Sequence, residues 1–326
     1  MNLIETCKNR CFQNPRRVVF PDSKDGRVLN AAKILIDAKI AEPILIGGPF
    51  ELREEADKHK ISTRGMSLLA PQQCKDLKQY ARQLFEARKH KGLTLEKAEE
   101  QLLNPLYFGA SLVKNNAADL CIAGNLSTTA DVLRAAIQVI GLQEGIETVS
   151  SFFLMLSSDG EKVFAFADCA VVPEPTAEQL SDIAYTTASN YNNILSAVPK
   201  AAMLSFSTKG SADHPAVEKI RNAVSISNQK YPELILDGEF QFDAAFVPAV
   251  GKQKAPGSRI QGDANVFIFP SLEAGNIGYK IAQRLGGYMA LGPFIQGLKN
   301  PMHDLSRGCS VEDIVNSAII SSCMIN

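Results

Sequence analysis

The sequence of 326 residues has no tryptophan, only four histidines and no long apolar run. No stretch approaches the ~18 consecutive apolar residues that a transmembrane helix requires, and the first residues lack the apolar core of a signal peptide. The formal net charge is only -1, and no basic run is interleaved with aromatic residues, so nucleic acid is not an expected partner. We therefore expect a cytoplasmic protein without a membrane or nucleic-acid partner.

Metal-site and nucleotide-binding motifs are also absent. The seven cysteines are an odd number and are scattered, which favours reduced thiols over a disulfide framework. Cys7 and Cys11 lie four residues apart, but no second Cys or His pair follows at zinc spacing, so we expect no metal. No HExxH, GxxxxGK[ST] or GxGxxG occurs, and the usual metalloprotease, P-loop and Rossmann signatures are therefore missing.

What is present is the pattern of an α/β protein. The chain is about twice the usual domain length, which predicts two domains. Short β-branched or aromatic runs alternate with longer helix-period segments, as in a parallel sheet flanked by helices. The clearest strands are predicted at 17–22, 43–48 and 118–124, and the clearest helix at 26–39.

The pattern changes near residue 145. Two successive strands, at 149–157 and 162–172, flank a Ser-Asp-Gly turn, which predicts an antiparallel insertion and a second domain. Further on, we predict a strand at 265–270 and a helix at 273–284, and we interpret 252–262 as a loop too polar to be buried.

Polar residues follow several of these strands. The loops at Thr128, Thr208, Asn276 and Arg307 should face one crevice of the sheet. Ser127, Thr128 and Thr129, with Arg134 one turn later, can seat an anion or simply cap a helix. Arg88 begins a basic patch that is either a solvated helix end or a seat for a phosphorylated ligand.

The segment 300–313 combines the most chemistry. Ser306 offers a hydroxyl, Arg307 a fixed cation, Cys309 a thiol and Asp313 a carboxylate at the start of the final helix, which together make an anion site beside a possible base. Ser310 followed by Asp313 is also close to a capping box, so Asp313 can be read equally as a helix start.

Five longer motifs stand out in the sequence. They are FADCA (166–170), AMLSFSTKGS (202–211), LDGEFQFDAA (236–245), PSLEAGNIGYK (270–280) and DLSRGC (304–309). In this order they resemble the phosphate acetyltransferase (phosphotransacetylase) family, and the match extends over essentially the whole chain.

The resemblance implies reversible acetyl transfer between coenzyme A and inorganic phosphate, with acetyl-CoA and acetyl phosphate as the acetyl donors, no cofactor, and a homodimer. It also implies a two-domain isocitrate/isopropylmalate-dehydrogenase-like fold with an interdomain cleft, divided into residues 1–145 plus 298–326 and residues 146–297.

Roles follow from the same resemblance. Arg307 would hold phosphate, Ser306 would hydrogen-bond the reacting groups, and Asp313 would accept the thiol proton of coenzyme A. The 127–129 loop departs from the family's commoner Ala-His-Ser-Thr form, and His303 stands where Asn is usual. Arg88 and Arg134 would serve the substrate anions, including the phosphates of coenzyme A. The full predicted substrate-binding set is Arg88, Ser127, Thr128, Thr129, Arg134, Ser207, Thr208, Asn276, Tyr279 and Lys280.

Alternatives remain at this stage. A phosphate butyryltransferase would share the fold but take a longer acyl group. A metal- and NAD-dependent dehydrogenase needs a cluster of acids at helical spacing, which the sequence lacks. A non-catalytic anion-binding module would not need Ser306, Arg307 and Asp313 together. Cys309 or Cys169 could carry an acetyl group, but neither has a neighbouring His, and we expect direct transfer.

Overall fold

The computed structural model describes residues 3–325. The chain divides into two compact units, a discontinuous unit formed by Ile4–Gln143 and Leu298–Ile325 and a central unit formed by Glu144–Gly297. Each unit has its own β-sheet with helices around it, so the predicted α/β class is confirmed. Within residues 3–325, no helix combines the length and apolar character needed to span a bilayer.

The strands of the described chain are short. They are β1 Arg16–Phe20, β2 Ala41–Ile46, β3 Ser67–Leu69, β4 Leu120–Ala123, β5 Ser150–Leu156, β6 Val163–Ala167, β7 Lys200–Leu204, β8 Ile235–Phe240, β9 Val266–Ile268, β10 Met289–Gln296 and β11 Met302–Asp304.

The α-helices of the same residues vary from five to nineteen residues. They are α1 Leu3–Gln13, α2 Gly26–Asp37, α3 Pro49–Lys58, α4 Leu77–Arg88, α5 Leu95–Gln101, α6 Pro105–Lys114, α7 Thr129–Ala135, α8 Ala177–Leu195, α9 Pro215–Lys230, α10 Phe242–Phe246, α11 Pro248–Lys254, α12 Leu272–Arg284 and α13 Val311–Met324.

The sheet of the discontinuous unit is parallel, in the order β11-β4-β1-β2-β3. Its central strand β1 is the apolar run predicted from the sequence, and Val18, Val19 and Phe20 are fully buried. Carboxyl ends of neighbouring parallel strands share one edge of a sheet, so the loops after β11, β4 and β1 lie side by side.

The final helix α13 carries a broad apolar face that is buried against α2 and β4. Its first turn is fixed by Ser310 at the N-cap. Because β11 pairs with β4 and α13 packs beside it, the short segment between them is held at both ends. This segment contains Ser306 and Arg307.

The sheet of the central unit is mixed, in the order β10-β5-β6-β9-β7-β8. The predicted hairpin is present: β5 and β6 are antiparallel, and Phe153 lies opposite Phe166. In the turn, Gly160 takes a positive φ of 70° and Asp159 Oδ1 accepts a hydrogen bond from the Glu161 N–H at 2.9 Å. Aromatic rings line one buried cluster of this unit, where the Phe166 and Phe267 centroids are 5.5 Å apart.

Two sequence predictions for this unit are wrong. The segment 252–262 begins inside α11, and both Ala255 and Ile260 are buried in the core. Backbone packs closely there, since a Cβ on Gly251 would lie 2.5 Å from the Gly262 nitrogen, and this draws the apolar residues inward. Asn276 lies within helix α12, which confirms the predicted helix at 273–284 and not the placement of Asn276 in a loop.

Candidate active site

The segment after β11 presents Ser306 and Arg307 at the surface of the discontinuous unit. The Leu305 N–H continues the strand by donating to the Ala123 carbonyl at 2.7 Å, and a tight turn follows in which the Cys309 N–H donates to the Ser306 carbonyl at 2.9 Å. Ser306 and Arg307 are exposed. In the described part of the chain, the Arg307 guanidinium makes no hydrogen bond or ion pair, so it is available to an anion.

Asp313 has the helix-capping role that was one reading of the sequence. The Ser310 N–H and hydroxyl donate to Asp313 Oδ2 at 2.8 and 2.9 Å, and the Asp313 N–H donates to Ser310 Oγ at 3.1 Å. This is a capping box. The box uses only one carboxylate oxygen, because no hydrogen bond from residues 3–325 reaches Oδ1. Asp313 can therefore cap the helix and still accept a proton.

Cys309 is buried behind this turn. Burial raises the pKa of its thiol, the nearby Arg27 guanidinium partly offsets the effect, and Asp313 raises the pKa further. The group is therefore a neutral thiol near pH 7, and a thiol is a much weaker nucleophile than a thiolate. All seven cysteines are free thiols in the structure.

The loop after β4 is organised by Asp22, at the end of β1. One carboxylate oxygen of Asp22 accepts the backbone N–H groups of Gly124, Leu126 and Ser127 at 2.9, 3.2 and 3.1 Å, and the other accepts the Ser127 hydroxyl at 2.6 Å. Three backbone amides and one hydroxyl thus converge on one buried acid. The Ser127 hydroxyl hydrogen is used inside the protein.

Thr128 and Thr129 are also engaged. Thr128 caps α7, since its Oγ1 accepts the Asp131 N–H at 3.2 Å and donates to Asp131 Oδ2 at 2.7 Å. The Thr129 hydroxyl donates to Asp304 Oδ2 at 2.6 Å and so links α7 to β11. The hydroxyl hydrogens of the 127–129 loop are therefore committed to protein carboxylates, and they are not free donors for a substrate.

Beneath these loops lie two buried titratable groups. Burial raises the pKa of Asp304 to about 6; the Thr129 hydrogen bond partly offsets this, and the Asp22 charge adds to it. Burial lowers the pKa of His303 to about 3, so the imidazole is neutral at pH 7. His303, the residue that replaces the family's usual Asn, lies in the interior.

Arg88 and Arg134 both act electrostatically on Tyr107. Burial raises the pKa of Tyr107, and the positive charges of Arg134 and Arg88 partly offset this shift. Arg134 also pairs with Asp131 at 2.6 Å. Within residues 3–325, no acid lies at ion-pair distance from Arg88, which ends α4 at the start of the basic patch.

The predicted residues of the central unit are largely occupied by internal contacts. Ser207 is buried and its hydroxyl donates to Glu239 at 2.9 Å, while Thr208 Oγ1 accepts the Gln241 N–H at 2.9 Å. Asn276 donates from Nδ2 to the Cys169 carbonyl at 3.1 Å.

On the same helix α12, the Tyr279 ring stacks on Phe153 at 4.2 Å. Lys280 is exposed, with its ammonium 5.8 Å from the Tyr279 ring centre. Beside Asn276 is an open cavity of about 370 Å³, which two acids, Glu174 and Glu273, also line. An acidic lining does not favour an anion at that place.

A second cavity of about 370 Å³ adjoins the 127–129 loop within the discontinuous unit. It lies at the carboxyl ends of β1, β2 and β3 and is lined by Asp22, Lys24 and Leu126, among others. Lys24 pairs with Glu51 at its rim at 2.8 Å. In the described residues, no group of three or more His, Cys, Asp or Glu side chains could hold a metal ion.

Comparison with known proteins identifies the family of the chain. The chain matches the family described as "Phosphate acetyl/butaryl transferase" over residues 2–322. The chain belongs to this family. It is 44% identical to the phosphate acetyltransferase of Bacillus subtilis over 321 residues, covering 98% of each chain. The family expected from the five motifs is thus confirmed.

Solved structures agree on the fold. A phosphotransacetylase from Streptococcus pyogenes has a TM-score of 0.93 and 43% identity, covering 98% of this chain and 97% of that one. A protein from Salmonella typhimurium described as a 4-hydroxythreonine-4-phosphate dehydrogenase has a TM-score of 0.57 at 10% identity, covering 95% of this chain and 99% of that one, and shows the fold alone. The predicted likeness to dehydrogenases in fold is therefore confirmed.

Three residues that support the candidate site are not predicted as site residues from the sequence. They are Asp22, which is predicted only as the end of a strand, Asp25 and Arg27. A signal was available, because Asp22, Asp25 and Arg27 follow a buried strand at the edge where polar residues of α/β sheets gather. Their partners could not be identified from the sequence.

Proposed function

We propose that this chain transfers an acetyl group reversibly between coenzyme A and inorganic phosphate, and so interconverts acetyl-CoA and acetyl phosphate. The observation that carries the proposal is the exposed Arg307 guanidinium, which has no internal partner among the described residues and stands in the segment that leads into the capping box of Asp313. Family membership supports the same reaction. A bidentate guanidinium suits two phosphoryl oxygens better than an ammonium does.

The proposed chemistry is a direct transfer in a ternary complex. The sulfur of coenzyme A attacks the acetyl carbonyl, the C–S bond forms, and the C–O bond to phosphate breaks. The thiol proton passes to Asp313, and Arg307 holds the departing phosphate. Ser306 donates a hydrogen bond to the reacting groups, where charge develops on the carbonyl oxygen.

The remaining members of the site are also proposals. Arg88 and Arg134 are proposed to bind the phosphates of coenzyme A, a role that the family resemblance implies, and the charges of both act on Tyr107. The 127–129 loop is proposed to act through its backbone, since its hydroxyls are engaged. Ser207, Thr208, Asn276, Tyr279 and Lys280 stay predicted substrate contacts. We propose that the two compact units are the two predicted domains; the cleft between them stays a prediction.

A thiol-release assay tests the reaction. With acetyl-CoA, we expect free coenzyme A to appear only when phosphate is added, and to be formed more slowly from butyryl-CoA. Faster turnover of butyryl-CoA would favour the butyryltransferase alternative. Thiol release that does not depend on phosphate would contradict the proposal.

The role of Asp313 has a matched control on the same turn. Asp313→Asn should lower kcat by roughly 100-fold or more, the usual contribution of a general base, with little change in the KM of coenzyme A. Glu312→Gln removes an equal charge from the same helix end, outside the capping box, and should leave kcat within about twofold. Equal losses in the two variants would show a general helix effect instead of proton transfer.

We also propose a homodimer. Helix α12 exposes Ile277 and Ile281, and Leu285 follows at its C-cap with the same four-residue spacing and is 85% exposed. An apolar stripe of this kind favours burial against another surface, and a second copy would supply one. Light scattering should give twice the mass of the chain, and Ile281→Glu should give the monomer mass; a monomeric parent chain would contradict this proposal.

The free cysteines favour a reducing compartment, for which we propose the cytoplasm.

A further inference from the structure

The guanidinium of Arg27 joins three loops at the carboxyl edge of the parallel sheet. Arg27 is the second residue of α2, in the connection after β1. One of its terminal nitrogens donates to the carbonyl oxygens of Arg307 and Cys309 at 2.9 and 2.7 Å, and the other donates to the Asn125 carbonyl at 3.1 Å. The loops after β1, β4 and β11 are thus held by one side chain.

Asp25 fixes the orientation of this guanidinium. Its carboxylate accepts Nε at 3.0 Å and a terminal nitrogen at 2.6 Å, a two-point ion pair. The same carboxylate caps α2 by accepting the Arg27 N–H at 2.8 Å, and it accepts Asn125 Nδ2 at 3.0 Å. Because Asp25 is itself held at the helix start, the planar fork of Arg27 is directed at the other two loops.

The carbonyl that Arg27 binds belongs to the residue proposed to hold phosphate. The Arg307 side chain has no partner of its own among residues 3–325, so its position in the free protein depends on its backbone. Arg27 holds that backbone on both sides of Gly308, through Arg307 and Cys309. A lysine could not reach three carbonyls in this geometry, since it carries one compact ammonium.

We infer that Arg27 is a positioning residue for acetyl transfer: it fixes the Arg307 backbone so that the unpaired guanidinium of Arg307 meets phosphate in line with the acetyl carbonyl. The inference rests on the proposed function. Arg27 makes no contact with the reacting groups in this account. Its effect is on alignment, to which transfer rates are sensitive at the level of about 1 Å.

The test compares Arg27→Lys with Arg17→Lys. Arg17 is a close match, because it also forms a two-point pair with an acid, Asp119, and donates to a backbone carbonyl, that of Ala117 at 3.1 Å. It lies near the opposite end of β1 from the site. We expect kcat to fall roughly 10- to 100-fold in Arg27→Lys, with the KM of coenzyme A within about threefold, and to stay within about twofold in Arg17→Lys.

A second measurement does not depend on activity. Trypsin cleaves after Arg307, whose carbonyl Arg27 holds, so release of the peptide that begins at Gly308 should be faster in Arg27→Lys and unchanged in Arg17→Lys. Unchanged kcat and cleavage in Arg27→Lys, or equal losses of kcat in both variants, would overturn the inference. Absence of phosphate-dependent thiol release in the unmodified chain would contradict the proposed function instead, and the trypsin comparison alone would then decide on Arg27.

Discussion

Replacing Asp304 by asparagine should stabilise this protein at neutral pH. The Asp304 side chain is only 5% exposed, and Oδ2 accepts the Thr129 hydroxyl at 2.6 Å. Oδ1 is buried and has no hydrogen-bond partner in the described chain. Burial raises the pKa of this carboxyl from 3.8 to about 6, with the Thr129 hydrogen bond opposing the shift and the Asp22 charge adding to it.

The sign of the effect follows from proton binding. Between pH 3.8 and 6 the native state binds a proton that the unfolded state has released, so the free energy of unfolding falls as the pH rises through this window. Above pH 6 the Asp304 carboxyl is ionised in both the native and the unfolded state, and the loss in the free energy of unfolding reaches its full value. A shift of 3.8 to about 6 corresponds to about 3 kcal/mol of lost stability at pH 7.

Asp304→Asn removes the charge and keeps an oxygen that can accept the Thr129 hydroxyl. Its amide places a donor where Oδ1 now has no partner, which costs about 1 kcal/mol, so the net gain in the free energy of unfolding should be about 2 kcal/mol at pH 7. At pH 5 wild-type Asp304 is largely protonated, and the gain should shrink by about 1 kcal/mol. Urea denaturation of both proteins at pH 7 and pH 5 measures the two differences.

Asp119→Asn is the matched control with the opposite sign. Burial raises the pKa of Asp119, but its hydrogen bonds to Arg17 lower it more, and the net pKa lies below the usual value. This carboxylate is therefore stabilising at pH 7, and the variant should lose stability. If Asp304→Asn is less stable than the parent at pH 7, or if its gain is the same at pH 5, the burial argument is refuted.

Three further predictions concern single contacts. Cys309→Ala should retain kcat within about threefold in the thiol-release assay, because the buried thiol is neutral; complete loss of turnover would favour an acetyl-cysteine intermediate. Gly124→Ala should lower the free energy of unfolding by at least about 2 kcal/mol, since the position has a φ of 100° and a Cβ would lie 2.2 Å from Asp304 Oδ1. An unchanged midpoint of urea denaturation would contradict this close approach. Glu239→Gln should lower the free energy of unfolding by about 2 kcal/mol at pH 7. Burial raises the pKa of Glu239, but hydrogen bonds that include those from Arg221 and Ser207 hold it at about 2, so the stability that this carboxylate contributes should be lost as the pH falls from 4.5 towards 2. Equal acid sensitivity of variant and parent would argue against this role of Glu239.

The local part of the site could be predicted from the sequence because its signals are local. Ser310 and Asp313 are three residues apart, and their spacing alone identifies the start of α13. The polar residues after β4 follow the buried apolar run Leu120–Ala123, which places them at the carboxyl edge of a sheet.

The supporting contacts could not be predicted in the same way. Arg27 and the carbonyl of Arg307 are 280 positions apart, and no periodicity relates them. The sequence leaves open whether the 127–129 loop seats an anion or caps a helix, because the acceptors of the Ser127 and Thr129 hydroxyls, Asp22 and Asp304, are known only from the fold. Strand β10 is not predicted from the sequence for another reason. Its apolar, Gly-containing sequence lacks the alternation of apolar and polar residues, and it pairs with β5 across a bulge between Leu291 and Phe294.

These contacts support the proposed anion site at one sheet edge. Three acids at this edge are engaged by the protein itself: Asp22 by amides and Ser127, Asp25 by Arg27, and Asp304 by Thr129 through one oxygen. Arg307 is left with its full charge and no internal partner among residues 3–325. A charge that the fold leaves uncompensated is stabilised by a ligand of opposite sign, which supports the proposal that Arg307 holds phosphate. The Asp304 charge weakens the fold at this same edge, while one oxygen of its side chain accepts the Thr129 hydroxyl and so links β11 to α7.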